Sequence, residues 1–303
     1  MTAVVELKVN HDQQPVTALP RSMETVLGGQ FPVTARLFTE LAVVDTITAM
    51  HSAIAVDARD HLFHQLVALI PGLDAAQRRW LEARHRRAQA GTATHDIGKV
   101  GIASTIPEAV AIVNSRSKPG AVLSLNGDHR HADDQARHLA HPPIGMFMLA
   151  DLAQDEPEIG PPWLAAALYH DTPFTAVFPK RRDWPAFEVL LTQLADTVAA
   201  SMPRPHNPVG FSIEKTKTHL YQDMVGLEPA QTALMVDLSL HTMNYLTANY
   251  SHEKCLNPGV LTLSGRPLNY NQTQTPLLES LVAKTWQKHG AAIMRQIEAF
   301  SPW

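Results

Sequence analysis

Residues 31–50 read FPVTARLFTELAVVDTITAM, and the spacing of apolar side chains in this stretch decides the fold class. Pro32 suits the first turn of a helix, and Leu37, Leu41, Val44, Ile47 and Met50 recur at steps of three and four residues. That period places them along one stripe of an amphipathic helix. Working outward, similar patterns predict helices over 57–70, 75–90, 105–115, 142–154, 161–170, 184–202, 229–250 and 276–299, mostly separated by Gly, Pro or Asn clusters. The expected class is all-α. A β-branched run at Val4–Val9 reads as an edge strand or a tail, and Cys255–Thr275 as a long loop with a small hairpin.

The chain has 303 residues, 45% hydrophobic and 18% charged, which is a globular composition with ample core. A formal charge of −4 removes the electrostatic case for a general nucleic-acid binder or an anionic-membrane binder. Glu6, Lys8 and Asp12 interrupt the N-terminus where a signal peptide needs an apolar core, and no stretch has the length of a membrane span. A single cysteine, Cys255, excludes disulfides and cysteine-built metal sites within the chain, so a cytoplasmic setting is expected. With 16 histidines, any metal chemistry must use imidazole and carboxylate ligands, which suit iron, manganese or zinc.

The sharpest local feature is Thr94-His95-Asp96-Ile97-Gly98-Lys99. Adjacent His and Asp side chains reach one cation only if the backbone turns them together. Ile97 and Val100 would pin the segment to the core, Gly98 permits close packing, and Lys99 lies about one turn beyond His95.

The run from His95 to Ile102, HDIGKVGI, resembles the HD superfamily of metal-dependent phosphohydrolases, and most closely its HD-GYP branch. The resemblance implies an all-α helical bundle, with extra helices at both ends, in which His95 and Asp96 ligate metal. The chain is accordingly divided into an N-terminal tail and helix (1–50), a metal-binding domain (51–205) and a C-terminal helical region (206–303), the second boundary being read from Pro203–Pro208, whose prolines stiffen the chain and remove helix donors. It implies an upstream histidine one helix earlier. His64 is favoured, 31 residues before His95, with Asp60 as an added acidic ligand four residues ahead of it; His61 with Asp57 has the same spacing and is the alternative. Downstream it implies His141 in HPPIGMFMLADL, then His170, where Tyr169 or Asp171 stands in place of an expected second histidine, and finally Asp196 on an apolar helix.

The departures are specific. Ala103-Ser104 replaces the Pro-Asp of the HD-GYP branch, and Val177-Phe178-Pro179 is the nearest approach to its Gly-Tyr-Pro triplet, so a cyclic di-GMP substrate is not implied. The segment 116–140 reads as an insertion that stretches the gap between His95 and His141 to 46 residues. The resemblance implies two transition-metal ions, iron or manganese, Asp96 and Lys99 as catalytic groups, and hydrolysis of a small phosphoester, a nucleotide or cyclic-dinucleotide-like molecule, by a metal-activated hydroxide. Some HD-fold proteins with similar ligand order are instead mixed-valence di-iron oxygenases that cleave C–C or C–P bonds with O₂, and a metal-free signalling relative is a third class. Lys180, Arg181 and Arg182 are candidate phosphate contacts beside the simpler reading of a solvated basic loop. The basic helix RRWLEARHRR (78–87) reads as solvated surface, and Asp128, His129 and His131 as an exposed loop. Leu234, Leu238, Met243 and Leu246 form a C-terminal stripe suited to core packing or to a homodimer contact.

Overall fold

The computed structural model of the protein describes residues 15–104, 124–125, 128–129, 132–172, 184–205, 207–224, 226–268 and 277–300. These contain eleven α-helices and two small sheets. The expected strand at Val4–Val9, the expected helix over 105–115, and Lys180, Arg181, Arg182 and His131 lie outside the described residues.

The stretch that fixed the fold class is two helices rather than one. α1 (Arg21–Leu27) is followed by α2 (Pro32–Val44), which stops at Asp45, and α3 (Thr46–Ala68) starts immediately afterwards. The side chain of Asp45 accepts from the Thr48 backbone N–H at 3.0 Å and from the Thr48 hydroxyl at 2.7 Å, so it caps the new helix and sets its direction. Every residue from Thr48 to Arg59 is buried. A helix apolar on all sides belongs in the centre of a bundle, and Ala49, Ser52, Ala53, Ala55 and Ala58 let its neighbours approach closely.

α4 (Ala75–Ala93) opens with a capping box, in which Asp74 accepts from the Ala76 and Gln77 N–H groups while the Gln77 side chain accepts from the Asp74 N–H. After it come a 3₁₀ segment (Ile97–Ser104), α5 (Ala132–Leu152), α6 (Pro161–Tyr169) and α7 (Trp184–Ala200). α5 begins ten residues before the predicted 142, and Pro142 and Pro143 lie inside it. Their fixed φ is compatible with helix even though two backbone donors are lost. The C-terminal part adds α8 (Ile213–Asp223), α9 (Pro229–Asn249), α10 (His252–Leu256) and α11 (Leu277–Phe300). On α8 only Thr216 and Leu220 are buried.

Residue 51 lies within α3, and residues from all three expected stretches share one hydrophobic core, from Met23 and Leu37 through Leu194 to Leu246 and Ile293. Within the C-terminal stripe, Met243 and Leu246 are buried while Leu234 is 44% exposed. β1 (Val16–Ala18) pairs in parallel with β4 (Val260–Leu263), which forms the expected hairpin with β5 (Arg266–Pro267) through Ser264 and Gly265. β2 (Ser124–Leu125) and β3 (Asp128–His129) form a separate antiparallel pair. No helix among the described residues is long and apolar enough to cross a membrane.

Three polar ties hold the central helices in register. The buried Arg59 guanidinium donates to the Glu188 carbonyl at 2.7 Å and to the Thr192 hydroxyl at 2.8 Å, joining α3 to α7. The Thr92 and Thr192 hydroxyls meet at 3.1 Å and join α4 to α7. At Gly98, an added Cβ would fall 1.9 Å from the His141 carbonyl oxygen and 2.6 Å from the Gly145 nitrogen, so the 3₁₀ segment rests directly on the α5 backbone. Gly98→Ala is therefore expected to lower stability by about 1–3 kcal/mol, the usual range for overpacking. A chemical-denaturation midpoint unchanged from wild type would show that the backbones are not held this close.

Candidate metal centre

α4 ends at Ala93, and the chain turns tightly through Thr94 so that the next two residues, His95 and Asp96, face the same point. The last turn of a helix leaves carbonyls without helical partners. One of these, Thr92 O, accepts from His95 Nδ1 at 2.6 Å. The ring is thereby fixed with Nε2 directed into the interior, the arrangement that orients a histidine ligand. The same construction recurs at α6: His170 Nδ1 donates to the Ala166 and Ala167 carbonyls, each at 3.0 Å, and Asp171 follows directly. Two His-Asp dipeptides, each just past a helix C-terminus, thus meet in the core. Both helix ends present partial negative charge, which favours a cation between them.

Asp96 lies at the centre, 1% exposed. Its Oδ2 is 3.6 Å from His51 Nε2 and 3.7 Å from His95 Nε2, while its Oδ1 is 3.1 Å from His141 Nε2 and 3.5 Å from His170 Nε2. Asp196, from α7, places Oδ1 2.7 Å from His51 Nε2 and 3.2 Å from His95 Nε2. Asp171 Oδ2 is 3.4 Å from His141 Nε2 and 3.6 Å from His170 Nε2. The donors fall into two groups on either side of one carboxylate: His51, His95 and Asp196, and His141, His170 and Asp171. Each group is compact enough to hold a metal ion, as is the trio His95, Asp96 and His170.

The electrostatics carry the marks of groups crowded for another purpose. Burial opposes ionisation of Asp96, but Lys99 and His95 hold its carboxyl well below the ordinary carboxylate range. Burial is likewise overcome at Asp196 by His51 and His95. His141 and His170 stand 2.8 Å apart, Nε2 to Nε2. Burial pushes His141 down to about 4, whereas at His170 burial is outweighed by Asp171 and Asp96, which raise it to about 9. Although His141 is close, the buried Asp96 Oδ1 has no well-aligned hydrogen bond. An unsatisfied buried carboxylate oxygen among imidazole nitrogens is costly in a purely structural cluster and is what a cation would relieve. Four imidazoles and carboxylates with no thiolate fit transition metals of intermediate hardness.

Of the predicted ligands, the structure brings together His95, Asp96, His141, His170 and Asp196, with Lys99 Nζ in direct contact with Asp96 Oδ2. It places Asp60 and His64 elsewhere. His64 is 60% exposed, and Asp60 accepts from His85 at 3.0 Å and Gln89 at 2.8 Å on the α4 side of α3. The alternative pair is also occupied away from the centre: His61 stacks on Tyr245 and contacts Thr242, while Asp57 accepts from Ser22, Tyr245 and Tyr250. The histidine that α3 does bring to the centre is His51. The predicted helix began at 57, whereas α3 begins at Thr46 and delivers its histidine more than three turns before His64. At 100° per residue, the 13 residues between them put His64 roughly 140° round the helix from His51. A histidine inside the apolar run TAMHSAIAVDA (48–58), which offers no polar face, is the sequence signal that marks it. His64→Ala is accordingly expected to leave metal content at the wild-type value and His51→Ala to lower it, measured by elemental analysis of the two purified variants; the reverse order would restore the Asp60–His64 assignment.

Comparison with protein-family models, with curated proteins and with solved structures finds no match to this chain.

Proposed function

We propose that the protein is a metal-dependent phosphohydrolase whose centre would hold two transition-metal ions, iron or manganese, with Asp96 as a ligand available to both. The observation that supports this reading is the placement of Asp96: each of its two oxygens faces its own pair of histidines. His51, His95 and Asp196 would hold one ion, and His141 and His170 the other. Bound there, the ions would supply Lewis acidity and a hydroxide nucleophile near neutral pH. The chain's own contribution is to aim the Nε2 atoms of His95 and His170 inward through their Nδ1–carbonyl bonds, and to keep the buried donors away from bulk water.

Lys99 supplies the charge that greets the substrate. Its side chain is 30% exposed while its Nζ touches Asp96, so it stands at the rim between solvent and the buried carboxylate. When Asp96 is engaged by cations, Lys99 becomes available to an anionic group, and a phosphoryl oxygen developing charge is the group it would stabilise. The substrate class is a small phosphoester, a nucleotide or a related molecule.

A second reading, an HD-type mixed-valence di-iron oxygenase cleaving a C–C or C–P bond, is favoured by one observation: the extra acidic ligand sought at Asp60 is outside the centre. One experiment separates the two. Protein purified anaerobically is analysed for metal and then assayed on bis-p-nitrophenyl phosphate and on a panel of nucleotides with and without O₂. Hydrolysis indifferent to O₂ supports the hydrolase. O₂ consumption with an iron-loaded sample and no hydrolysis replaces it with the oxygenase, and less than one equivalent of metal after metal-replete expression removes both.

A further inference from the structure

We infer that Asp171 is the exchangeable ligand of the ion held by His141 and His170, and that an anionic oxygen of the substrate enters the centre where Asp171 lets go. The inference rests on the two-metal reading above and goes beyond its ligand set. Asp171 Oδ2 lies 3.4 Å from His141 Nε2 and 3.6 Å from His170 Nε2, on the side of Asp96 away from His51 and Asp196. It completes the second group with a carboxylate as Asp196 completes the first. It also repeats the His95–Asp96 device: an acid directly after a histidine, just beyond a helix end, with that histidine tethered to helix carbonyls.

The two carboxylates that complete the groups differ in their surroundings. His51, His95, His141, His170 and Asp96 have side chains no more than 5% exposed, and Asp196 keeps 13%. Asp171 keeps 24%, the most of any donor in the cluster. A ligand that water already reaches pays little desolvation to leave its ion, whereas a buried imidazole tethered at Nδ1 has nowhere to turn. The half containing Asp171 is therefore the half that exchanges, and the half containing His51 and Asp196 is the one that stays. The group that replaces a carboxylate oxygen on a metal of intermediate hardness is another anionic oxygen, and Lys99, also on the exposed rim, carries the complementary charge.

The test uses the full chain loaded with Mn(II), with metal release to excess EDTA followed over time. Wild type is expected to hold two ions that leave in two phases separated by at least tenfold, with inorganic phosphate slowing the fast phase. Asp171→Ala should hold one ion and lose the fast phase, while Asp171→Glu restores it. His51→Ala should remove the slow phase instead. Two retained ions with unchanged phases in Asp171→Ala would overturn the inference while leaving the two-metal reading intact. A single phase in wild type would also overturn it, since the two halves would then be equivalent. Wild type that binds no ion would bring down both. Asp171→Asn, matched in size, is run beside the alanine variant with circular dichroism, and loss of the fast phase confined to an unfolded variant counts against the inference.

Discussion

Asp96→Ala is expected to lose at least one metal ion per chain and to lower turnover below roughly a thousandth of wild type, the scale reached when a group acting as part of a catalytic unit is removed. The reason is geometric. Asp96 alone has an oxygen on each side of the centre, so its removal weakens both groups of donors, whereas loss of any one histidine weakens one. The fold is expected to survive, because Ile97, Leu194, Ala195 and Val198, close to the donors in sequence, are buried in the hydrophobic core through apolar side chains. Elemental analysis and circular dichroism on the same preparation decide the matter. Global loss of helix would make Asp96 a structural anchor for Lys99 and the histidines.

Lys99→Met is expected to retain both ions and to lose about 10²–10³-fold in kcat, the scale of removing one preorganised charge from a transition state. Methionine keeps the length and flexibility of the stem and removes only the ammonium. Because Lys99 touches Asp96 Oδ2, its loss also frees that oxygen, so metal affinity should hold or rise. A fall in kcat with little change in KM marks a charge that acts in the transition state. Turnover near wild type would reduce Lys99 to a counter-ion that keeps Asp96 ionised before metal arrives.

Much of the fold class and five donors of the centre were legible in the sequence, and the reasons differ. α9 and α11 carry apolar periods that survive in the structure within a residue or two of the predicted ends, because each packs one stripe against the bundle. α3 defeated the same reasoning in its first half, since a helix buried on every side has no stripe to read. That is also where His51 sits, so the helix boundary and the missed member of the cluster have one cause. The pair Asp60–His64 had the right residue types at the right spacing, but spacing along one helix does not say which face it presents. Asp60 instead meets His85 and Gln89, an arrangement visible only once α4 is laid alongside. His95 and Asp96 were recoverable because two adjacent side chains face one point only through a tight turn after a helix, and Gly98, which lets α5 approach, is printed in the same six residues.

The parallel pairing of β1 with β4 has a consequence for how the protein is made. Val16 is matched to Val260 and Ala18 to Thr262, so the first strand waits for a partner through more than 240 residues of synthesis. At ~5–20 residues per second, that is roughly 12–50 s during which the nascent strand is exposed on the growing chain. Ribosome-bound chains halted before residue 260 should therefore keep the 16–18 segment open to proteases, and release of the hairpin is the event that seals it.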